Sequence, residues 1–164
     1  MSINIKNLLK GEIKVLPVRS QINIEIDESL KAMGILEASE ITAHGQVVLR
    51  GAKAFLELRI EGELVYACAR CLDPAPYRLK LDVDKCLESP GSGVEDCIPL
   101  KGTVLELDGF ILEETLLNLP GKVLCSEDCR GICPVCGINK NHETCHCEED
   151  LVDPRFDVLD DFFS

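Results

Sequence analysis

A chain of 164 residues with 46% apolar content is long enough for one ordinary domain with its own core and too short for two large independent ones. Aromatic residues make up only 4% and Trp is absent, so the core has to be built from Ile, Leu and Val, which favours sheet. The net charge of −12 is concentrated: residues 1–80 carry 11 Lys and Arg against 10 Asp and Glu, residues 81–164 carry 6 against 19, and the second half, at −13, repels a phosphate backbone.

No apolar run approaches the roughly 18 residues of a membrane span, and Met1 to Lys10 holds no apolar signal core, so a cytoplasmic protein with no membrane partner is expected. Ile22, Ile24 and Ile26 suggest a first strand. Ile41, Ala43, Val47 and Leu49 alternate in a second, which turns at Gly51. The cleanest alternation follows, with Leu56, Leu58, Ile60, Leu64, Tyr66 and Cys68 on one face and Glu57, Arg59, Glu61 and Glu63 on the other. Gly62 interrupts it and is expected to mark a bulge. After a turn from Cys68 to Pro76, Tyr77, Leu79, Leu81 and Val83 alternate again, completing an antiparallel meander.

Glu88 to Gly93 reads as a flexible loop, and Val104, Leu105 and Leu107 as a short strand. Asp108 is placed to cap a helix running to Leu119 that Pro120 stops, apolar on most sides and so expected to be buried. From Cys125 to Cys147 hydrophobic content nearly vanishes, and burial alone cannot order the segment. Asp153, Pro154 and the apolar series Phe156, Val158, Leu159, Phe162 and Phe163 then signal a tail helix. The fold class expected is α+β. It comprises an antiparallel, barrel-like meander with one packed helix over 1–120 (helix 109–119), a cysteine-rich metal-binding segment over 121–150 and an acidic amphipathic tail helix over 151–164.

Eight of the ten cysteines form close pairs: Cys68 and Cys71, Cys125 and Cys129, Cys133 and Cys136, Cys145 and Cys147. In a reducing compartment clustered thiols are metal ligands or redox centres before they are disulfides. A tetrahedral zinc with Zn–S near 2.3 Å sets neighbouring sulfurs roughly 3.8 Å apart, a distance that a two-residue gap in a tight turn reaches. Cys133-Pro-Val-Cys136-Gly137 fits this best, since Gly137 can take the positive φ that turns backbone N–H groups toward sulfur. Zinc is favoured over an iron–sulfur cluster, and dithiol exchange is disfavoured because Cys68 and Cys71 sit between strands rather than opening a helix. Sequence distance groups 133/136 with 145/147 in one local site and leaves 125/129 to reach back to 68/71. A division in which Cys129 joins the local cluster is the alternative. His142 and His146 lie among the cysteines as possible substitutes, though a solvated loop role suits each better, and His44 reads as surface. Cys86 and Cys97 stand alone and read as ordinary core or loop thiols.

Cys68-Ala-Arg-Cys71-Leu, Asp108 with Glu113 and Leu119-Pro120, the run Cys125-Ser-Glu-Asp-Cys129-Arg-Gly-Ile-Cys133-Pro-Val-Cys136-Gly, and Asp153-Pro154-Arg155 before Leu159 together resemble the YceD family, the large ribosomal RNA subunit accumulation proteins. The resemblance spans about residues 60 to 162. It implies a bacterial accessory factor in accumulation of the large-subunit (23S) RNA and no known reaction. Some members lack cysteines matching Cys133, Cys136, Cys145 and Cys147, which suits a stabilising role for them.

An acidic chain is a poor direct ligand for RNA or DNA, so the expected partner is a basic ribosomal protein or assembly factor. No acid/base pair, nucleophile motif or phosphate-binding loop is present, and four-thiolate zinc sites have no open position, so a non-enzyme is expected. The alternatives are a zinc reservoir or metallochaperone, and an rRNA-acting hydrolase, which would need an open metal site.

Overall fold

The structure is a computed structural model that describes residues 1–88 and 97–147. The elements in chain order are β1 (Ser2–Asn4), α1 (Lys6–Leu9), β2 (Val15–Ile22), α2 (Glu28–Ala32), β3 (Ile35–Ala38), β4 (Ile41–Arg50), β5 (Lys53–Ala67), β6 (Pro74–Glu88), β7 (Ile98–Pro99), β8 (Val104–Glu106) and α3 (Leu107–Leu117). The main sheet runs β2-β4-β5-β6-β7, with β3 also paired to β5. β4, β5 and β6 form the expected meander. β5 is long enough to take two neighbours on one edge, β4 along its first part and β3 at Leu64 to Tyr66. β1 and β8 make a separate two-stranded sheet.

Period-two alternation is obeyed where it is cleanest. Leu56, Leu58, Ile60, Leu64, Tyr66 and Cys68 are all buried, as are Ile41, Ala43 and Val47 on β4 and Leu79 and Val83 on β6. Ile5, Leu8, Leu30, Leu105, Leu107 and Ile111 complete one core with them. The opposite face is charged, and Arg59 pairs across the strands with Asp82 at 2.8 Å.

Several expectations are corrected. The sheet does not close into a barrel: β2 and β7 lie at opposite ends of the strand order and do not pair. The first long strand is Val15–Ile22, placing Ile24 and Ile26 beyond it; Pro17 is tolerated because β2 is an edge strand. Gly62 marks no bulge, since it faces Leu79 in continuous register; a Cβ there would lie 2.2 Å from Ile41 Cδ1, so close packing explains it.

Three helices are present among the described residues, where one was expected. The residue at the N-cap of α3 is Glu106, with no side-chain cap, and Asp108 turns instead to the Met1 amine and the Ser20 hydroxyl. α3 buries Leu107, Ile111 and Thr115 only, while Leu112, Leu116 and Leu117 are exposed. Cys86 and Cys97 are joined as a disulfide, because the parallel pairing of Leu87 with Ile98 sets their Cα atoms 4.6 Å apart. The loop expected from Glu88 to Gly93, apart from Glu88 itself at the end of β6, and the tail helix lie outside the described residues. No described helix is long and apolar enough to cross a membrane.

Candidate metal centres

The β5–β6 turn begins at Cys68, whose N–H donates to Asp73 O at 2.8 Å, while Leu72 N–H returns to Cys68 O at 3.0 Å. Leu72 takes φ of 66°, a left-handed position that tightens the turn and brings Cys71 back beside Cys68. The chain after α3 then docks on this turn by backbone hydrogen bonds. Ala69 N–H donates to Val123 O at 2.9 Å, and Ile132 N–H to Arg70 O at 3.0 Å. Gly131 sits so close that a Cβ would come within 3.2 Å of Arg70 O, and its φ of 73° favours glycine as well.

Docking brings two pairs together. Cys68 Sγ lies 3.7 Å from Cys129 Sγ, and Cys71 Sγ 3.5 Å from Cys125 Sγ. All four sulfurs fall within 4.8 Å of one another, and Cys68, Cys71 and Cys129 are buried. A second group gathers Cys133, Cys136, Cys145 and Cys147 within the same limit. There Cys145 Sγ is 3.3 Å from Cys133 Sγ and 3.5 Å from Cys136 Sγ. The knuckle is closed by Cys133 N–H to Ile138 O at 2.8 Å and Gly137 N–H to Cys133 O at 2.9 Å, with Gly137 at φ 77°. Cys133 is buried and Cys136 exposed.

The donor chemistry fits a thiophilic cation. These sulfur–sulfur separations, 3.3 to 3.7 Å, lie near or a little inside the roughly 3.8 Å edge of a zinc–thiolate tetrahedron. Burial works against ionising Cys68, yet the N–H groups of Arg70, Cys125 and Cys71 hold its thiol down to about 6. The Cys136 N–H does the same for Cys133, down to about 6, aided by Val135 N–H and opposed by burial. Their neighbours move the other way: burial pushes Cys71 up, and Cys145 and Cys136 push Cys147 up to about 12. Crowded thiols without a counter-charge cannot all ionise, and a divalent cation relieves that conflict.

Three residues that the sequence left unmarked tie the two groups together. Asp73 Oδ2 accepts from Asn139 Nδ2 at 2.8 Å, from His142 Nε2 at 2.9 Å and from the Cys71 thiol at 3.4 Å. Asn141 Nδ2 donates to Cys129 Sγ at 3.4 Å, and its Oδ1 accepts from Arg130 N–H at 2.8 Å. The available signal was the density of turn-forming Asn between the last two cysteine pairs. His142 is thus engaged by a carboxylate rather than by a sulfur group, and His146 and His44 are exposed.

A half-open sheet whose longest hairpin ends in a four-thiol group, with a second such group on the segment beyond, defines a cysteine-centred scaffold able to hold metal. The family model for the large ribosomal RNA subunit accumulation protein YceD matches residues 56–163, and the chain belongs to that family. It is also 30% identical over 129 residues to uncharacterized proteins of Mycobacterium tuberculosis and Mycobacterium bovis, a match covering 67% of this chain and 62% of theirs. The chain thus matches less than two thirds of the length of these relatives. No solved structure matches it.

Proposed function

We propose that the protein is a non-catalytic accessory factor supporting accumulation of the large-subunit (23S) ribosomal RNA, held in shape by two four-thiolate zinc ions and acting through a basic ribosomal protein or assembly factor. In this scheme residues 1–120 are the scaffold, 121–150 the metal-ordered segment and 151–164 an acidic tail. The supporting observation is that in residues 121–147 only Cys129, Gly131 and Cys133 are buried, so thiols stand where a hydrophobic core would otherwise be. Sites with four protein sulfurs leave no position for substrate or water, which suits structure rather than catalysis. The concentration of acid in the second half favours a basic protein over RNA.

Deleting the gene and restoring it as wild type or as Cys68→Ser/Cys129→Ser tests the scheme. The expected result is depleted 23S relative to 16S RNA, rescued by wild type alone, with two zinc ions per chain by native mass spectrometry. Unchanged 23S levels in the deletion strain would refute the role. The exposed Cys136 favours a second reading, a zinc reservoir. A reservoir yields its metal to a chelator within minutes while staying folded, and a structural centre does not.

A further inference from the structure

We propose that the groove between α2 and α3 is the docking site for that partner and takes a basic amphipathic segment. This deepens the accessory-factor reading and rests on it. α3 has a buried inner face and an apolar stripe on its outer one. Leu107, Ile111 and Thr115 pack inward, while Leu112 and Leu116, one turn apart, remain 38% and 37% exposed. Across from them stand Leu30 of α2 and Met33, which follows α2 and is 46% exposed. With Ile24 they line an open groove of about 530 Å³. Two apolar stripes facing each other across a groove are what an amphipathic helix or strand occupies, its anchors spaced to meet both walls. The Met33 thioether can adapt to anchors of different shape.

Charge selects the occupant. Glu25 and Asp27 also line the groove, no described Lys or Arg does, and α3 itself holds Asp108, Glu113 and Glu114 with no cation. An apolar groove with an acidic rim rewards Leu-type anchors flanked by Lys or Arg and disfavours acidic segments. The chain's own residues 148–164 are apolar enough to compete, but they carry seven Asp and Glu against one Arg. A second copy would bring the same acidic rim.

The probe is a labelled synthetic peptide of Leu and Lys with Leu at i, i+3, i+4 and i+7, compared with a scrambled peptide of the same composition. Binding to the full zinc-loaded chain is followed by anisotropy. Met33→Glu and Leu116→Glu, both at half-exposed positions, are expected to weaken the patterned peptide by about tenfold each, with circular dichroism unchanged. Glu25→Lys is expected to weaken it and flatten its salt dependence. Equal binding of the scrambled peptide, or full binding by the two Glu variants, overturns the proposal. So does a tenfold gain in Phe156→Ser/Phe162→Ser, which would mean that the chain's own tail fills the groove. In the deletion strain, rescue of 23S RNA by the Met33→Glu/Leu116→Glu chain rejects the groove and leaves the accessory role standing, whereas a deletion without an RNA defect rejects the role itself.

Discussion

Asn141 Nδ2 lies 3.4 Å from Cys129 Sγ, so a side chain from the loop that joins the last two cysteine pairs supports a sulfur of the other group. A donor aimed at a thiolate spreads its charge and fixes its direction, and loss of such a partner commonly costs 10- to 100-fold in metal affinity. Asn141→Ala loaded with zinc is therefore expected to yield metal from one group to a chelating dye at roughly 10- to 100-fold lower competing affinity than wild type, with the other group unaffected. Identical competition curves would remove Asn141 from this role.

Metal removal should act regionally. The meander is held by Leu56, Leu58, Ile60 and Leu79, all buried, whereas in residues 121–147 only Cys129, Gly131 and Cys133 are buried. Hydrogen exchange after chelation is expected to show full loss of protection over 121–147 with β4 to β6 still protected. Uniform loss over both regions would mean that the sheet also depends on the metal.

Two strand glycines should differ in cost. A Cβ at Gly45 would lie 1.9 Å from the backbone oxygen of Glu57, which cannot yield without breaking the ladder. At Gly62 the nearest atom is the end of the Ile41 side chain, at 2.2 Å, which can swing aside. Gly45→Ala is expected to lose about 3 kcal/mol and Gly62→Ala about 1 kcal/mol, read from urea midpoints. The reverse order would contradict the packing described.

Asp108 gives stability a pH dependence of known sign. The Met1 amine, and after it the Ser20 hydroxyl, hold its carboxyl below the usual carboxylate range despite some burial. The unfolded chain therefore binds a proton more readily, so this contribution is complete above about pH 5 and disappears as pH falls below about 4 through the folded value. Asp108→Asn is expected to be less stable than wild type at neutral pH and to converge with it in acid. Parallel curves down to pH 2 would mean that the contact contributes nothing.

The middle of the sheet was legible because β4, β5 and β6 bury one face each, and an alternating series such as Leu56 to Tyr66 admits one register. The start of β2 is hidden in the sequence because Pro17 interrupts the pattern of an edge strand, and α1 and α2, at four and five residues, are too short to show a helical period. Asp108 reads in the sequence as a local cap, but its partners are far away along the chain, at Met1 and Ser20. The meeting of Cys86 with Cys97 depends on a parallel pairing of two residue pairs that no local pattern announces. The cysteine pairs carried their own geometry in their spacing, whereas Asp73, Asn139 and Asn141 matter only after the segment has folded back onto the hairpin.

The span of 54 residues between Cys71 and Cys125 sets a timetable for synthesis. At 5–20 residues per second the ribosome needs roughly three to eleven seconds to make that span. During that interval the hairpin leaves the exit tunnel with two bare thiols at its turn, open to oxidants and to stray metals. The second group lies within a stretch of 15 residues, from Cys133 to Cys147, and can assemble almost as soon as it emerges. A metal bound by both groups would then be needed last in maturation of the nascent chain, and its scarcity would yield a sheet already formed with an unfastened end.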